Sequence, residues 1–468
     1  MAYLSMVYKY QIQQTPSLSV GADSGQPSFT MASVNSSDIT IRQRNALSIG
    51  PEIGPDPRIS LSKISLPALP AMEAECGLRF DFNNGYRILA PANLPPCLLR
   101  VYDMETQTLL DQRELEPGKL VVGERKYFIR YRLEVIERTT GKMLACHDYD
   151  CVGKKVMIVI PDGGLGDNLA WLPYVEAFRV EHRADVTCVC GEWLIRLVRD
   201  QYPELHFVPL DSQPSCDGFY ASYYCATFQK DRMSWRPSEH QYFGMQGSVA
   251  QLLGVRRVPR RTRLKLDAPR PFPEPFVVIS TLATNPAKFW NFPDGWNQVC
   301  RYLKRLGFRV LDIDRDHDLL IAGQRYSVPS EAEDFTGFKP LSERIALLQH
   351  ASFFIGLPSG LSWLAWCCRI PVVMIAGFTH DGSEFPTPYR VFNQNFCHGC
   401  WNDSNCFFDQ NVPVWCPKHV GTPREIECTR AITPKMVRET ILRIPAFQKR
   451  MAEVMNQRDR AAQSTQAE

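Results

Sequence analysis

Five cysteines lie close together in the stretch FCHGCWNDSNCFFDQNVPVWCPKHVGTPREIEC, residues 396–428. Cys397 and Cys400 form a CxxC pair, and Cys406, Cys416 and Cys428 follow it. The thiolates of a CxxC turn can bind one ion, and two further thiolates complete a tetrahedral site. Four sulfur ligands suit zinc or iron. We expect a structural ion on Cys397, Cys400, Cys416 and Cys428, with Cys406 as an alternative to Cys428.

The second stretch with chemical potential is IPDGGLGDNLAWLP, in which an apolar strand leads through glycines into a helix. Open α/β sheets bind ligands at the carboxyl ends of their strands, and glycine lets the backbone approach a ligand closely. Asp167 is therefore a candidate catalytic residue, although a plain N-cap would have the same sequence. The neighbouring substrate contacts are assigned to Gly164, Leu165, Gly166 and Asn168.

Two further stretches, IGLPSGLSWLAW and STLATNPAKFWNF, follow predicted strands later in the chain. A helix N-terminus entered through small residues is a natural diphosphate site, and a loop lysine can pair with a phosphate. The competing interpretations are a serine-capped strand–helix turn and a solvated lysine. The substrate-binding residues predicted here are Thr281, Lys288, Trp290, Asn291, Ser359, Gly360, Leu361 and Ser362.

Composition excludes several classes of protein. The chain has 468 residues and a formal net charge of +3, which argues against a dedicated nucleic-acid binder. No apolar run reaches the length of a membrane span, and the N-terminus lacks the basic and apolar regions of a signal peptide. We therefore expect a cytoplasmic protein with reduced thiols, in which a cysteine cluster indicates metal.

The order of strands and helices around these residues predicts an α/β protein. Strands alternate with helices from residue 154 onward, which indicates parallel sheets covered by helices and a ligand-binding cleft between two units. Before that point, NNG and TTGK turns between strand-like runs predict a small β-rich domain. The expected divisions are a disordered extension (1–60), the β-rich domain (61–153), a Rossmann-like unit with Asp167 (154–262), a second such unit with the cysteines (263–445) and a frayed tail (446–468).

The stretches DGGLGDNLAWLPYVEAF, KFWN, IGLPSGLSWLAW, VVMIAGFT…EF, CHGCWND, WCP and ECTRAI together resemble bacterial autotransporter heptosyltransferases. The resemblance covers about residues 75–445. It implies a GT-B glycosyltransferase with two Rossmann-like domains, related to the lipopolysaccharide heptosyltransferases. Those relatives typically have a D-T-G-x-x-H diphosphate loop, whereas Pro358–Trp363 here reads PSGLSW, which fits the autotransporter branch better.

The resemblance also implies a reaction and its partners. The expected enzyme moves heptose from ADP-heptose to serines of an autotransporter passenger domain before export. Asp167 occupies the position of the catalytic base, and Lys288 that of the phosphate-contacting lysine. Such enzymes carry one cysteine-bound iron ion per subunit, with zinc as an alternative here, and assemble into a dodecamer. The β-rich domain is a candidate for acceptor docking.

Two other functions remain open from the sequence. The first is a lipopolysaccharide core heptosyltransferase, which would use a lipid-linked sugar as its acceptor. The second is a metal-containing scaffold that binds a nucleotide sugar without turnover. A test of sugar transfer with each acceptor would separate these functions.

Overall fold

The computed structural model describes residues 64–466 apart from Asp162, 226–236, Glu239, Ala322, Phe407, 410–411 and Pro413. The predicted extension, residues 1–60, lies outside the described residues. We call residues 64–252 the first lobe and residues 276–466 the second lobe. No helix of the described part of the chain is long and apolar enough to cross a membrane.

The first lobe begins with a β-rich region. A four-stranded antiparallel sheet has the order β5-β4-β7-β8, and the NNG and TTGK turns predicted from the sequence join β2 to β3 and β7 to β8. The strands are β1 (Met72–Glu73), β2 (Arg79–Asn83), β3 (Arg87–Leu89), β4 (Cys97–Asp103), β5 (Thr108–Leu115), β6 (Leu120–Val122), β7 (Tyr131–Glu137) and β8 (Met143–Asp148).

The α/β part of the first lobe follows, and its parallel strands have the order β11-β10-β9-β12. Strand β2 pairs in parallel with β12, so one sheet crosses the sequence boundary at residue 153. The elements are β9 (Lys155–Val159), α1 (Leu165–His182), β10 (Asp185–Cys190), α2 (Glu192–Val198), β11 (His206–Pro209), β12 (Ala221–Tyr224) and α3 (His240–Leu252).

The second lobe contains a parallel sheet of order β17-β14-β13-β18-β19-β20. A separate β15–β16 hairpin, which the sequence did not predict, packs against the apolar cluster of this lobe through Ile321 and Tyr326. The elements are β13 (Phe276–Ile279), α4 (Gly295–Lys304), β14 (Arg309–Asp312), β15 (Asp318–Ile321), β16 (Gln324–Ser327), β17 (Glu333–Asp334), α5 (Leu341–Leu348), β18 (Phe354–Gly356), α6 (Gly360–Cys367), β19 (Val372–Ile375) and β20 (Arg390–Val391).

Three helices end the described chain: α7 (Glu427–Arg430), α8 (Pro434–Ile441) and α9 (Pro445–Gln466). The tail expected over residues 446–468 begins within α9. Pro445 lacks an N–H and starts a new helix, which is a favourable place for proline. That helix continues to Gln466.

The segment between the lobes, residues 255–275, has neither helix nor strand and contacts both of them. The hydroxyl of Thr262 donates to the carbonyl of Leu169 in α1, and Arg261 Nε donates to the carbonyl of Trp366 in α6. One buried apolar cluster also runs from Phe82 of the β-rich region to Trp363 of α6. The lobes therefore share a core, which holds α1 and α6 together.

Candidate active site and metal centre

Two glycine-rich helix starts, one from each lobe, meet where α1 contacts α6, and we call this contact the junction. A Cβ placed on Gly360 would lie 3.1 Å from the amide nitrogen of Gly166 and 2.8 Å from Cβ of Leu165. A Cβ on Gly166 would lie 2.9 Å from Cδ1 of Trp363. Only glycine permits so close an approach of the two backbones. The GGLGD and PSGLSW stretches predicted separately are thus brought together.

Asp167 lies at this junction in the first turn of α1. Its Oδ2 accepts a hydrogen bond from the N–H of Gly164 at 3.0 Å, so Gly164 is the N-cap and Asp167 is the third residue of α1, which bonds back to that cap. Burial raises the pKa of Asp167 to about 6, while the ammonium of Lys288 opposes that rise. A carboxylate with a pKa near neutrality is suited to accept a proton from a hydroxyl group.

Lys288 reaches the junction from the second lobe. It ends the short 3₁₀ helix Pro286–Lys288, which Asn285 caps by accepting the N–H of Ala287 at 2.9 Å. The Nζ atom lies 5.7 Å from the ring centre of Phe378 and 6.0 Å from that of Trp401. Burial lowers the pKa of Lys288, while Glu384 and Asp167 oppose this change. A cation held between an acid of each lobe is placed to bind an anion.

Glu384 is a site residue that the sequence prediction missed. Its carboxylate pairs with the buried guanidinium of Arg390 at 2.9 Å, and Arg390 also donates to Thr379 Oγ1 at 2.8 Å. Glu384 lies in the SEF stretch after β19, and its signals in the sequence were an acid following a buried strand and its place in the VVMIAGFT…EF stretch. Arg390 neutralises Glu384 in part, so Lys288 keeps positive charge available for a ligand.

Ser359 is the N-cap of α6, as the predicted diphosphate loop requires. Among the described residues, its buried Oγ has no hydrogen-bond partner. Its own N–H donates to Leu357 O at 2.7 Å, and Ser362 Oγ donates to the same carbonyl at 2.6 Å. The amides available at the helix start are therefore those of Gly360 and Leu361, since the first N–H groups of a helix lack intrahelical acceptors.

Other predicted contacts make hydrogen bonds that hold the site together. Asn168 Nδ2 donates to Gly164 O at 3.1 Å. Trp290 Nε1 donates to Ile432 O at 2.8 Å. Asn291 Nδ2 donates to Pro286 O, Phe289 O and Thr429 Oγ1, which ties the Lys288 turn to α7. The structure thus gives these polar groups partners within the protein.

Thr281 belongs to a buried network around Asp314, which the sequence prediction did not include. Asp314 Oδ2 accepts from the N–H groups of Thr281 and Leu282 at 2.6 and 2.9 Å, and Oδ1 accepts from Ser280 Oγ at 2.6 Å. Burial raises the pKa of Asp314, and these donors oppose the rise. The network sets the direction of the chain where it leaves β13 toward Lys288.

Four of the predicted metal ligands line one small cavity, of about 10 Å³, which is room for a single small ion or water. They are Cys397, Cys400, Cys416 and Cys428, while Cys406 does not line it. Burial raises the pKa of Cys428 to about 12. Buried, neighbouring thiols become ligands only when a cation compensates their negative charge, and this donor set fits iron or zinc.

His419 and Glu427 also line that cavity. Ligand atoms of Cys397, His419 and Glu427 lie within 4.8 Å of one another, so they are alternative donors. Glu427 accepts the N–H of Cys397 at 3.0 Å and Arg424 Nε at 2.8 Å. The Arg424 hydrogen bond lowers the pKa of Glu427 to about 2. These bonds occupy its carboxylate and favour the cysteines as ligands.

The metal cavity and the active-site junction adjoin each other. Ala287, next to Lys288 in the chain, lines the cavity. A Cβ on Gly377, after β19, would lie 2.2 Å from the carbonyl oxygen of Cys428. Asn285 Nδ2 donates to Val412 O in the cysteine-containing segment at 3.3 Å. The cysteines therefore support the turn that carries Lys288.

Two Rossmann-like lobes with an acid and a lysine facing each other across a glycine junction define a glycosyltransferase of the GT-B class. The model of "Glycosyltransferase TibC, N-terminal domain" matches residues 75–139, and that of "Glycosyltransferase family 9 (heptosyltransferase)" matches residues 240–411. Autotransporter heptosyltransferase Aah of Escherichia coli is 41% identical over 378 residues, which cover 80% of this chain and 95% of Aah. This chain belongs to the autotransporter heptosyltransferase family.

A solved structure and a further relative add to this comparison. The crystal structure of TibC from enterotoxigenic E. coli H10407, described as an iron-containing dodecameric glycosyltransferase, is 39% identical with a TM-score of 0.77. The match covers 81% of this chain and 98% of the TibC chain. TibC has also been solved in complex with ADP-D-β-D-heptose. BimC of Burkholderia thailandensis, named an inactive autotransporter heptosyltransferase, is 36% identical over 389 residues, 81% of this chain and 88% of BimC.

Proposed function

We propose that this chain transfers heptose from ADP-heptose to serine hydroxyls in the passenger domain of an autotransporter adhesin. The observation that carries the proposal is that the glycine-rich helix starts of the two lobes meet beside Asp167, close enough to Lys288 of the second lobe for each charge to shift the pKa of the other. This arrangement supports the roles that we propose for them, with Asp167 as the proton acceptor and Lys288 as the phosphate-binding cation. Membership of the family and the ADP-heptose complex of TibC support the identity of the donor.

The reaction we propose is a single displacement. The serine oxygen attacks the anomeric carbon, and its proton passes to the Asp167 carboxylate. The bond between that carbon and the ADP oxygen breaks, and ADP leaves with the electron pair. One displacement inverts the anomeric centre. Lys288 and the N–H groups of Gly360 and Leu361 stabilise the charge that develops on the departing diphosphate.

The metal ion has a supporting part in this proposal. Cys397, Cys400, Cys416 and Cys428 would hold one iron ion per subunit, with zinc as the alternative, and the iron content of TibC supports this choice. When bound, the ion would cross-link four points of the segment between Cys397 and Cys428. Ala287 lines the metal cavity and Asn285 bonds to the cysteine-containing segment, so an ordered segment would also hold the turn that carries Lys288 in place.

The partners belong to the same proposal. The β-rich strands would present the passenger domain to the active site by pairing with its extended segments. The subunits would form a homo-oligomer, which the dodecameric TibC supports. The reaction would occur in the cytoplasm, before export of the adhesin, and would involve no nucleic acid.

Coexpression with an autotransporter passenger domain, followed by intact-mass measurement, tests the proposal. We expect a ladder of heptose-sized additions that disappears when the host cannot make ADP-heptose. Transfer to a lipopolysaccharide acceptor instead would make the chain a core heptosyltransferase. The inactive relative BimC gives a specific reason to consider a third outcome, in which ADP-heptose binds without transfer and the chain is a scaffold.

A further inference from the structure

Three segments of the chain meet beside Lys288, and one of them is the loop between the metal ligands. The first segment is the start of α3, in the first lobe. The second is the turn at residues 379–383, which follows β19 in the second lobe. The third is residues 400–404, which begin at the metal-cavity residue Cys400. The side chain of Asn402 contacts both of the other segments.

Asn402 makes hydrogen bonds to both lobes. Its Oδ1 accepts from the N–H of His380 at 2.7 Å and from Ser383 Oγ at 2.9 Å. Its Nδ2 donates to the carbonyl of Gln241 in α3 at 2.6 Å. A carboxamide is the side chain that offers an acceptor and a donor from one position. An aspartate would keep the bonds within the second lobe and lose the bond between the lobes.

Backbone contacts around Asn402 confirm that the segments fit closely. Gly244 has φ 63° inside α3, and a Cβ there would lie 2.0 Å from the carbonyl oxygen of Gly382. The N–H of Met245 donates to Ser383 O at 3.1 Å, and Tyr242 OH donates to Ser404 Oγ at 3.1 Å. The kink at Gly244 therefore lets the start of α3 lie against the second lobe.

The same segment also borders the active site. Trp401 precedes Asn402, and its ring centre lies 6.0 Å from Lys288 Nζ. The N–H of Trp401 donates to the carbonyl of Phe378, whose ring also lies beside Lys288. A change in the position of residues 400–402 would thus alter both the contact between the lobes and the surroundings of Lys288.

We propose that Asn402 is a positioning residue that joins the metal-bearing loop to α3 and so holds the two lobes in the arrangement that transfer needs. The inference deepens the proposed function and rests on it for its effect on catalysis. The metal centre would then act on the reaction through the contact between the lobes, because Cys400 begins the segment and Asn402, two residues further on, bonds to both lobes.

The test compares holoenzymes carrying Asn402→Asp and Asn405→Ala. Asn405 follows this segment, and its Nδ2 donates to Asp403 Oδ1 at 3.2 Å. Within the described part of the chain, its side chain has no hydrogen bond to α3 or to residues 379–383. We expect N402D to keep its metal content and its affinity for ADP-heptose, while kcat falls by roughly tenfold or more because the reacting groups of the two lobes are no longer aligned. N405A should match the wild type in all three measurements.

Hydrogen–deuterium exchange supplies a measurement that does not depend on catalysis. N402D should speed exchange of the amides at residues 240–252, where α3 loses its contact, and leave α8 unchanged. Equal exchange in N402D and the wild type would overturn the inference, and so would loss of the metal, which would make Asn402 part of the metal site. If the wild type transfers no sugar, the proposed function fails, while the exchange result still tests the contact.

Discussion

Gly360 of the second lobe lies against Gly166 of the first, so closely that a Cβ on Gly360 would be 3.1 Å from the Gly166 nitrogen. The residue that follows Gly166 is Asp167, the proposed base, and Gly360 begins the helix that is proposed to bind the diphosphate. The distance between base and donor is therefore set by two backbones in contact rather than by flexible side chains.

Gly360→Ala should force the starts of α1 and α6 apart. The added methyl would meet Cβ of Leu165 at 2.8 Å, and the neighbouring backbone cannot yield without moving Asp167. Misplacement of reacting groups by about 1 Å can cost on the order of 10² in rate, so we expect kcat to fall by roughly 10- to 100-fold. The measurement is transfer to a passenger fragment at saturating ADP-heptose.

Gly141→Ala is the matched control for this glycine. Gly141 lies in the β7–β8 hairpin turn with φ 70°, and a Cβ added there would have open space around it. A methyl group therefore strains only the local backbone. That strain should cost about 1–2 kcal/mol of stability and leave kcat unchanged. If both variants lose stability alike and neither loses transfer, the glycine contact does not set the catalytic geometry.

Asp167→Asn should abolish most transfer while the enzyme still binds its donor. The amide oxygen can still accept the Gly164 N–H, so the start of α1 is retained, but the side chain can no longer take up a proton. We expect kcat to fall roughly 10²–10⁴-fold, the range ascribed to general-base catalysis. Asp185→Asn changes a half-buried acid at the start of β10, beside His206, and should leave transfer unchanged. Near-normal turnover by D167N would exclude Asp167 as the base.

The pH profile should have an acidic limb set by Asp167. Its pKa is raised to about 6, so below about pH 6 the carboxyl becomes protonated and kcat/KM should fall about tenfold per pH unit. Lys288 holds this pKa down, so Lys288→Met should move the limb to higher pH besides weakening donor binding. Lys304→Met removes the same charge from the surface of α4 and should leave the limb in place. An unshifted limb in K288M would count against the pairing.

Local chemistry made much of the fold predictable. The NNG stretch predicted a hairpin because Asn84 and Gly85 can adopt positive φ, and both do, with φ 58° and 93°. The pairing of β2 with β12 left no such signal, since it joins segments far apart in the chain and depends on the whole sheet. Most of the strand and helix pattern within each unit was therefore predicted, while the β15–β16 hairpin and the sheet that unites the β-rich region with the α/β part of the first lobe were not.

The residues of the candidate site were likewise predicted only in part. Asp167 and Lys288 were predicted from the glycine turn and the loop lysine, each of which follows its own strand. Asn402 was missed because its partner Gln241 lies 161 residues away and the bond uses a backbone carbonyl, which no residue type reveals. Trp290 was predicted to contact substrate because it lies close to Lys288 in the sequence. Its indole donates to Ile432 O in the structure, and the sequence alone does not distinguish these two roles.

Cys428→Ser and Cys406→Ser should differ in the metal they retain. Cys428 lines the small cavity with Cys397, whereas Cys406 lies outside that cavity and packs in the apolar cluster of Phe378 and Trp415. C428S should therefore lose its iron or zinc and unfold at a lower temperature, because a three-thiolate site binds such ions less tightly. C406S should keep the ion at wild-type stoichiometry, as measured by elemental analysis of purified protein. If C428S retained the metal and C406S lost it, Cys406 rather than Cys428 would be the fourth ligand.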